Sequence, residues 1–186
     1  MVNVIFTIGH STHPIEEFIA ILEAHGIRQL VDVRTIPRSR RNPQFNRENL
    51  PGSLNAAGVV YRHMPGLGGL RHPRRDSINT GWRNAGFRGY ADYMQTPEFH
   101  ENLEKLMEFS SEAPTAIMCA EAVPWRCHRS LIADALVARG VEVQEILNAA
   151  KSQPHALTSF AKVDGSTVTY PGAADSKNLE LKFDAP

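Results

Sequence analysis

Apolar residues alternate between short continuous runs and helical spacings, and at the start of the chain their order predicts a βαβ unit. Residues 4–8 form an apolar run that is typical of a buried strand. Residues 15–22 keep apolar positions at helical spacing, and we expect Ser11 or Thr12 to cap that helix. A second apolar run covers 29–33. Strand, helix and strand within about 30 residues predict two parallel strands of one sheet.

The same alternation returns in the second half of the chain. The spacing predicts a helix over 97–110, a buried strand over 115–119, a helix over 129–139 and a strand over 141–146. A short helix and a final strand are expected within 154–170. This order predicts an α/β fold, a three-layer single domain with a mainly parallel sheet and helices on both faces.

The region between these halves is less regular. Residues 34–90 are predicted to be an irregular, arginine-rich insertion, with a short helix in 46–54 and a strand in 58–63. Long loops inside a compact domain are usually functional or disordered. We therefore expect one α/β domain over residues 1–171, followed by a polar, mobile tail over 172–186.

Charge is distributed unevenly, although the net charge is zero. Between Arg34 and Arg88 there are eleven arginines, no lysine and only two acids, Glu48 and Asp76. Arginine presents a planar set of donors that suits phosphate and carboxylate groups, so this segment indicates anion recognition. Aromatic residues lie among these arginines, where they either stack on bases or pack in the core.

Composition excludes several classes of protein. The hydrophobic content of 42% and charged content of 22% are ordinary for a globular chain. No apolar run reaches the roughly 20 residues that cross a bilayer, and the first residues predict a strand and no signal peptide. Two cysteines are too few for a disulfide framework. We expect a cytoplasmic protein whose cysteines are reduced and which has no membrane partner.

Polar residues follow the predicted strands at their carboxyl ends. His10 and Ser11 follow the first strand, Asp32 and Arg34 flank the end of the second, and Cys119 ends the strand over 115–119. Ligands of parallel α/β sheets bind outside the carboxyl ends of the strands. We therefore expect these residues to lie along one edge and to form one site.

The loop over residues 119–129 carries the most concentrated chemistry. It offers two thiols, a carboxylate, an imidazole and two guanidinium groups at a strand-to-helix junction, where a helix N-terminus attracts anions. The candidate catalytic residues are Cys119, Glu121, Cys127, His128, Asp32 and His10. The candidate substrate- or anion-binding residues are Arg34, Arg126, Arg129, Ser11 and Ser39.

Two other interpretations of this loop are open. Free cysteines are among the most buried residues, so both thiols could only pack in the core. We predict no resident metal and no cofactor, because the spacing matches no tight ligand pattern. A zinc or iron ion, if bound, would take its ligands from Cys119, Glu121, Cys127 and His128.

Taken in order, several short segments resemble the bacterial and archaeal family catalogued as domain of unknown function 488. They are Thr-Ile-Gly-His-Ser at 7–11, Leu-Val-Asp-Val-Arg at 30–34 followed by Pro37 and Ser39, Leu-Gly-Gly at 67–69, Cys-Ala-Glu at 119–121 and Cys-His-Arg at 127–129. The resemblance runs from residue 5 to about residue 171. It implies an α/β fold and a site built from these segments, and it implies no particular reaction. Some members are labelled as DNA-repair proteins.

A more distant similarity is to rhodanese-like sulfurtransferases and cysteine phosphatases. Residues 30–34 and 50–55 resemble rhodanese segments, and so does the order of strand, Cys119, loop, Arg129 and helix. The interval between cysteine and arginine is longer here, and Glu121 would repel an anion at the centre of the loop.

We therefore expect an enzyme that acts on a nucleic acid, a nucleotide or another phosphorylated substrate. One alternative is a non-catalytic nucleic-acid-binding module. Another is a sulfurtransferase or phosphatase with a cysteine nucleophile. The partner would be a nucleic acid or a phosphorylated small molecule, and the sequence does not determine the oligomeric state.

Overall fold

The computed structural model describes residues 4–172 and has a six-stranded sheet at its centre, in the order β3-β2-β4-β1-β5-β6. The first five strands of the chain run parallel and β6 pairs antiparallel with β5. A separate hairpin joins β7 and β8. The strands are β1 Val4–Gly9, β2 Gln29–Asp32, β3 Val60–His63, β4 Thr115–Cys119, β5 Glu142–Asn148, β6 Lys151–Pro154, β7 Lys162–Asp164 and β8 Thr167–Thr169.

Within the described residues, five α-helices cover the two faces of this sheet. They are α1 Ile15–Ala24, α2 Leu50–Ala56, α3 Ala85–Tyr93, α4 Pro97–Ser110 and α5 Arg129–Val137. Phe18 of α1 and Leu54 of α2 belong to the apolar cluster on one face of the sheet. Tyr90, Leu103 and Leu136, from α3, α4 and α5, belong to the cluster on the other face. The predicted α/β fold with three layers is therefore confirmed.

Strand β4 shows why both faces must be covered. All five of its residues are buried. Ala116 and Met118 pack with α1 and α2, whereas Ile117 and Cys119 pack with the helices on the opposite face. Successive side chains of a strand point to opposite faces, so a continuous apolar run requires a helix layer on each side.

The predicted elements differ most from the structure where packing patterns are weak. The helix at 97–110 and the strand at 115–119 match α4 and β4. The helix expected within 154–170 is absent, and β6 and β7 were not predicted because their residues are largely polar and exposed. Neither Ser11 nor Thr12 caps α1: Pro14 occupies the N-cap position without a side-chain hydrogen bond.

Residues 34–84 are held by local turns and short elements. Short 3-10 helices cover Pro43–Phe45 and Pro65–Leu67, and a third covers Pro124–Arg126 in the cysteine loop. The predicted tail lies outside the described residues except for Gly172. Between residues 4 and 172, no helix combines the length and the apolar character that a membrane span requires.

Candidate functional site

The carboxyl ends of β1, β2 and β4 lie side by side, as the sequence predicted. Gly9 of β1 is in register with Cys119 of β4, and Asp32 of β2 is in register with Met118. The backbone N–H of His10 donates to the Cys119 carbonyl at 2.9 Å. Residues that are far apart in sequence therefore meet at one edge of the sheet.

A pocket of about 400 Å³ opens at this edge. Six of the eleven predicted site residues line it: Arg34, Cys119, Glu121, Arg126, Cys127 and His128. Five do not line it: His10, Ser11, Asp32, Ser39 and Arg129. Residues outside the eleven candidates complete the wall: Thr35, Ile36, Gly69, Leu70, Asn84, Gly86, Phe87 and Ala120.

Arg129 lies behind the pocket and holds the cysteine loop from within. Its side chain is 1% exposed and donates to Cys119 Sγ at 2.8 Å and to the Ala122 carbonyl at 3.0 Å, with a further bond to the Glu121 carbonyl. Arg129 forms no ion pair with a carboxylate anywhere in residues 4–172. Burial lowers the pKa of its guanidinium to about 10, although Glu145 and Glu121 oppose that change.

The two cysteines of the chain meet in this pocket. The structure brings the sulfur atoms of Cys119 and Cys127 into contact, with their Cα atoms 7.5 Å apart. The expectation that both thiols are reduced in the cell stays a prediction. Cys119 is 2% exposed and Cys127 is 6% exposed. Cys119 ends β4 and Cys127 lies eight residues further on, just before α5. Their sulfur atoms can touch because the loop between them folds back over Arg129.

His128 stands beside Cys127 with a defined arrangement of its ring nitrogens. Nε2 lies 3.1 Å from the Val33 carbonyl oxygen, and Nδ1 lies 3.7 Å from Cys127 Sγ. A carbonyl oxygen only accepts, so Nε2 carries the hydrogen, and in the neutral ring Nδ1 is left as an acceptor. Burial lowers the pKa of His128 to about 4, which keeps the ring neutral near pH 7.

Asp32 and Arg34 form a buried ion pair at the base of the site. Arg34 Nε lies 2.9 Å from Asp32 Oδ1 and Nη2 lies 2.6 Å from Oδ2. Tyr61 donates its hydroxyl to Oδ2 at 2.9 Å, and burial together with the Asp32 charge raises the pKa of Tyr61. Because Arg34 also donates to the Phe45 carbonyl at 2.7 Å, most of its donors are already used. This pair supports the pocket wall and has little capacity left for a ligand.

His10 continues that network and does not reach the pocket. Its Nε2 lies 3.1 Å from Arg34 Nη1, which can only donate, so Nε2 accepts and Nδ1–H donates to the Ser11 carbonyl at 2.9 Å. Burial and the Arg34 charge lower the pKa of His10 to about 4. The ring stacks on Phe45 with centroids 4.2 Å apart.

The two predicted serines serve the backbone. Ser11 occupies the left-handed region with φ of 48°, and its N–H donates to the Ala120 carbonyl at 3.0 Å. Ser39 Oγ accepts from the Asn42 N–H at 3.1 Å within its own loop. Both residues therefore shape the loops around the site.

Two glycines that are not among the eleven candidate residues allow the close packing of the site. A Cβ at Gly9 would overlap the Glu121 carbonyl and stand 2.8 Å from Arg129 Nη1. A Cβ at Gly69 would stand 2.5 Å from His128 Nδ1. Each glycine lies in a segment that carried the family resemblance, which was the available signal.

The arginines of the basic segment divide into two groups. Arg62 stacks on Phe109 and Arg71 on Tyr93, and Arg74 pairs with Asp76, so these cations have partners on the protein. Among residues 4–172, the exposed arginines of the segment with neither an ion pair nor a ring contact are Arg38, Arg40, Arg41, Arg47, Arg75 and Arg83. These exposed cations form the part of the segment that can meet an anion.

The donor set at the site does not form a metal centre. Among residues 4–172, no group of three or more His, Cys, Asp or Glu side chains has the geometry to hold an ion. Both sulfurs are already engaged with each other and with Arg129, and a guanidinium beside a ligand repels a cation.

Fold and site together define an α/β protein with a paired-cysteine pocket at the carboxyl edge of a parallel sheet. The chain belongs to the family described as "Domain of unknown function DUF488", whose model matches residues 14–136. The family resemblance read from the sequence is therefore confirmed, whereas the comparisons do not show the distant rhodanese-like similarity. Neither the curated proteins nor the solved structures contain a match to this chain.

Proposed function

We propose that this protein is a cytoplasmic enzyme that acts on a nucleotide, nucleic acid or other phosphorylated substrate, with Cys119 as its nucleophile. The reactive form is the reduced one, in which Cys119 Sγ is no longer bonded to Cys127. A reducing compartment such as the cytoplasm maintains that form.

The observation that carries the proposal is the contact between Arg129 and Cys119. A buried guanidinium without a carboxylate partner is costly, by several kcal/mol per ion, unless another anion neutralises it. Cys119 Sγ stands 2.8 Å from Arg129 Nη1, and in the reduced protein a Cys119 thiolate at this position would supply the missing negative charge. The thiolate is the nucleophilic form of cysteine, and cationic neighbours favour it over the thiol.

The surroundings of the pocket support an anionic substrate. Ile36 and Asn84 line the pocket. Arg38 lies two residues after Ile36, Arg83 lies directly before Asn84, and both arginines are exposed. Arg126 is itself exposed and lines the pocket. Arg126 therefore places positive charge in the pocket wall, and Arg38 and Arg83 follow or precede wall residues at the two ends of the arginine-rich segment. A focused positive field raises the local concentration of anions.

In the proposed reaction the Cys119 thiolate attacks phosphorus and the bond to the leaving-group oxygen breaks. The leaving oxygen takes a proton from the Glu121 carboxylic acid. Water then attacks the phosphocysteine, gives a proton to the Glu121 carboxylate, and releases phosphate and the thiolate. Glu121 is exposed and lines the same pocket as Cys119, which is the position such an acid and base requires.

Alkylation of the reduced protein tests the nucleophile. We expect iodoacetamide to modify Cys119 with half-maximal rate below the pH of about 8.5 that is typical of free cysteine. A reduced Cys119 that alkylates only above that pH would contradict the proposal. Turnover of p-nitrophenyl phosphate and of nucleotides should be lost in Cys119→Ser and reduced about 100-fold or more in Glu121→Gln, the range for general acid–base catalysis.

The basic segment also supports a second candidate function, a nucleic-acid-binding module without turnover. Trp125 is 68% exposed beside Arg126, and an exposed aromatic next to a cation suits base stacking and phosphate contact. Binding of a single-stranded oligonucleotide should weaken with salt, with a shallower salt dependence in Arg38→Gln. Lys162→Gln, an exposed charge change outside the segment, is the matched control. Binding that is unchanged in Cys119→Ser, with no turnover of any substrate, would favour this second function.

A further inference from the structure

The two sulfur atoms are chemically unequal, although they touch. Cys119 Sγ receives a hydrogen bond from the buried guanidinium of Arg129, which stabilises a negative charge on sulfur. Cys127 Sγ instead faces the unprotonated Nδ1 of His128, which is held in that tautomer by the Val33 carbonyl. Cys119 is therefore arranged to be a thiolate, whereas Cys127 is positioned as a thiol whose S–H faces an accepting ring nitrogen.

We propose that Cys119 and Cys127 form a reversible redox centre in which Cys119 reduces a small hydroperoxide and Cys127 resolves the product as a disulfide. The proposal shares the Cys119 thiolate with the proposed function and needs no phosphorylated substrate.

The reaction balances over two steps. Cys119 thiolate attacks the terminal oxygen of the hydroperoxide, the O–O bond breaks, and the released alkoxide takes a proton from water to become an alcohol. Cys119 is oxidised to the sulfenic acid while the peroxide is reduced. Cys127 Sγ then attacks Cys119 Sγ and the S–O bond of the sulfenic acid breaks. The proton of Cys127 passes to the leaving hydroxide, which departs as water, and a dithiol reductant later restores both thiols.

Burial and the position of the pair limit the oxidant to a small molecule. Cys119 is 2% exposed at the floor of the pocket, so the reagent must be small enough to pass the pocket walls. Formation of the Cys119–Cys127 disulfide removes the nucleophile from the pocket.

Hydrogen peroxide and the full chain test the redox centre directly. After reduction with dithiothreitol and its removal, one equivalent of peroxide should consume both thiols, and the intact mass should fall by two hydrogen atoms. Fresh dithiothreitol should reverse both changes. This measurement needs no variant, so it does not depend on whether a substitution folds. Accumulation of Cys119 sulfinic acid, with Cys127 still a thiol, would overturn the proposal.

Two single variants test the order of the reaction. Cys127→Ser should stop at a Cys119 sulfenic acid that dimedone traps, at the rate of the unaltered protein. Cys119→Ser should lose its remaining thiol at least about tenfold more slowly, because Cys127 lacks the guanidinium contact. Equal rates in the two variants would overturn the proposed roles.

The same proteins separate this proposal from the proposed function. Disulfide formation without turnover of any phosphorylated substrate would leave the redox centre standing and remove the proposed function. Turnover that needs Cys119, in a protein that forms no disulfide with peroxide, would remove only the redox centre. Slow alkylation of Cys119 at neutral pH would count against both.

Discussion

Two aspartate–arginine pairs in this chain have the same spacing and the same two-point geometry but opposite exposure. Asp32 and Arg34 are joined by bonds of 2.9 and 2.6 Å, and Arg74 and Asp76 by bonds of 3.0 and 2.8 Å. In the first pair the side chains are 0% and 9% exposed, and in the second they are 71% and 63% exposed. Asp32→Asn and Asp76→Asn therefore make the same chemical change in two environments.

The expected cost differs because water can replace only the exposed partner. Asp32→Asn leaves the Arg34 guanidinium buried without its carboxylate, and breaking such a pair costs about 3–5 kcal/mol. This cost is a large share of the roughly 5–15 kcal/mol that stabilises a domain. With a urea dependence of about 2 kcal/mol/M, the midpoint should fall by about 1.5–2.5 M. Asp76→Asn should leave the midpoint unchanged, since water solvates both groups.

Urea unfolding followed by circular dichroism measures both midpoints under identical conditions. If Asp32→Asn does not fold, Tyr61→Phe provides a milder test, because it removes only the hydroxyl that donates to Asp32, and it should cost about 1 kcal/mol. Equal midpoints for Asp32→Asn and Asp76→Asn would refute the argument that burial decides the strength of these pairs.

Other predictions concern pH and backbone packing. Although burial alone would lower it, hydrogen bonds to two carboxylates raise the pKa of His155 to about 9. Its stabilisation is therefore complete below about pH 6.5 and lost as the pH rises towards 9, and urea midpoints should fall over that range, except in His155→Gln. The pKa values of His10 and His128 are lowered to about 4, so both rings favour the folded state when they are neutral. The free energy of unfolding should therefore fall as the pH drops from 6.5 towards 4, and a free energy that stays constant over this range would contradict the prediction. Gly9→Ala should destabilise the fold by about 1–3 kcal/mol in thermal or urea unfolding, because its Cβ overlaps the cysteine loop. Gly52→Ala in α2, with nothing within 4 Å of the new Cβ, should leave stability equal or slightly higher.

The elements that the sequence predicted well are those whose own residues carry the packing pattern. The apolar stripe of α4 and the continuous apolar run of β4 gave bounds of Pro97–Ser110 and Thr115–Cys119 that match the structure. Most of helix α3 lies in residues 34–90, which were predicted to be irregular, and the helix begins where Asn84 accepts hydrogen bonds from the backbone N–H groups of its first turn. An asparagine before a helix is a recognisable cap, so this signal was present in the sequence.

The meeting of polar residues at one sheet edge was also predictable. Parallel strands place their carboxyl ends at one edge, so His10, Asp32 and Cys119 had to lie at the same edge of the sheet once parallel strands were recognised. Their roles were not predictable from spacing alone. Whether a carboxylate faces a ligand or a buried arginine depends on which side chains the other strands and loops bring to it.

By itself, the sequence determined the α/β fold, the family and the edge of the sheet at which the site lies. The periodicity of apolar residues and the order of helices and strands along the chain can both be read from the sequence. Only the tertiary structure decided that Asp32 pairs with Arg34, that Arg129 lies beneath Cys119, and that Cys127 folds back onto Cys119. Each of these contacts joins side chains through three-dimensional packing, and its energy depends on burial, which no spacing in the sequence specifies.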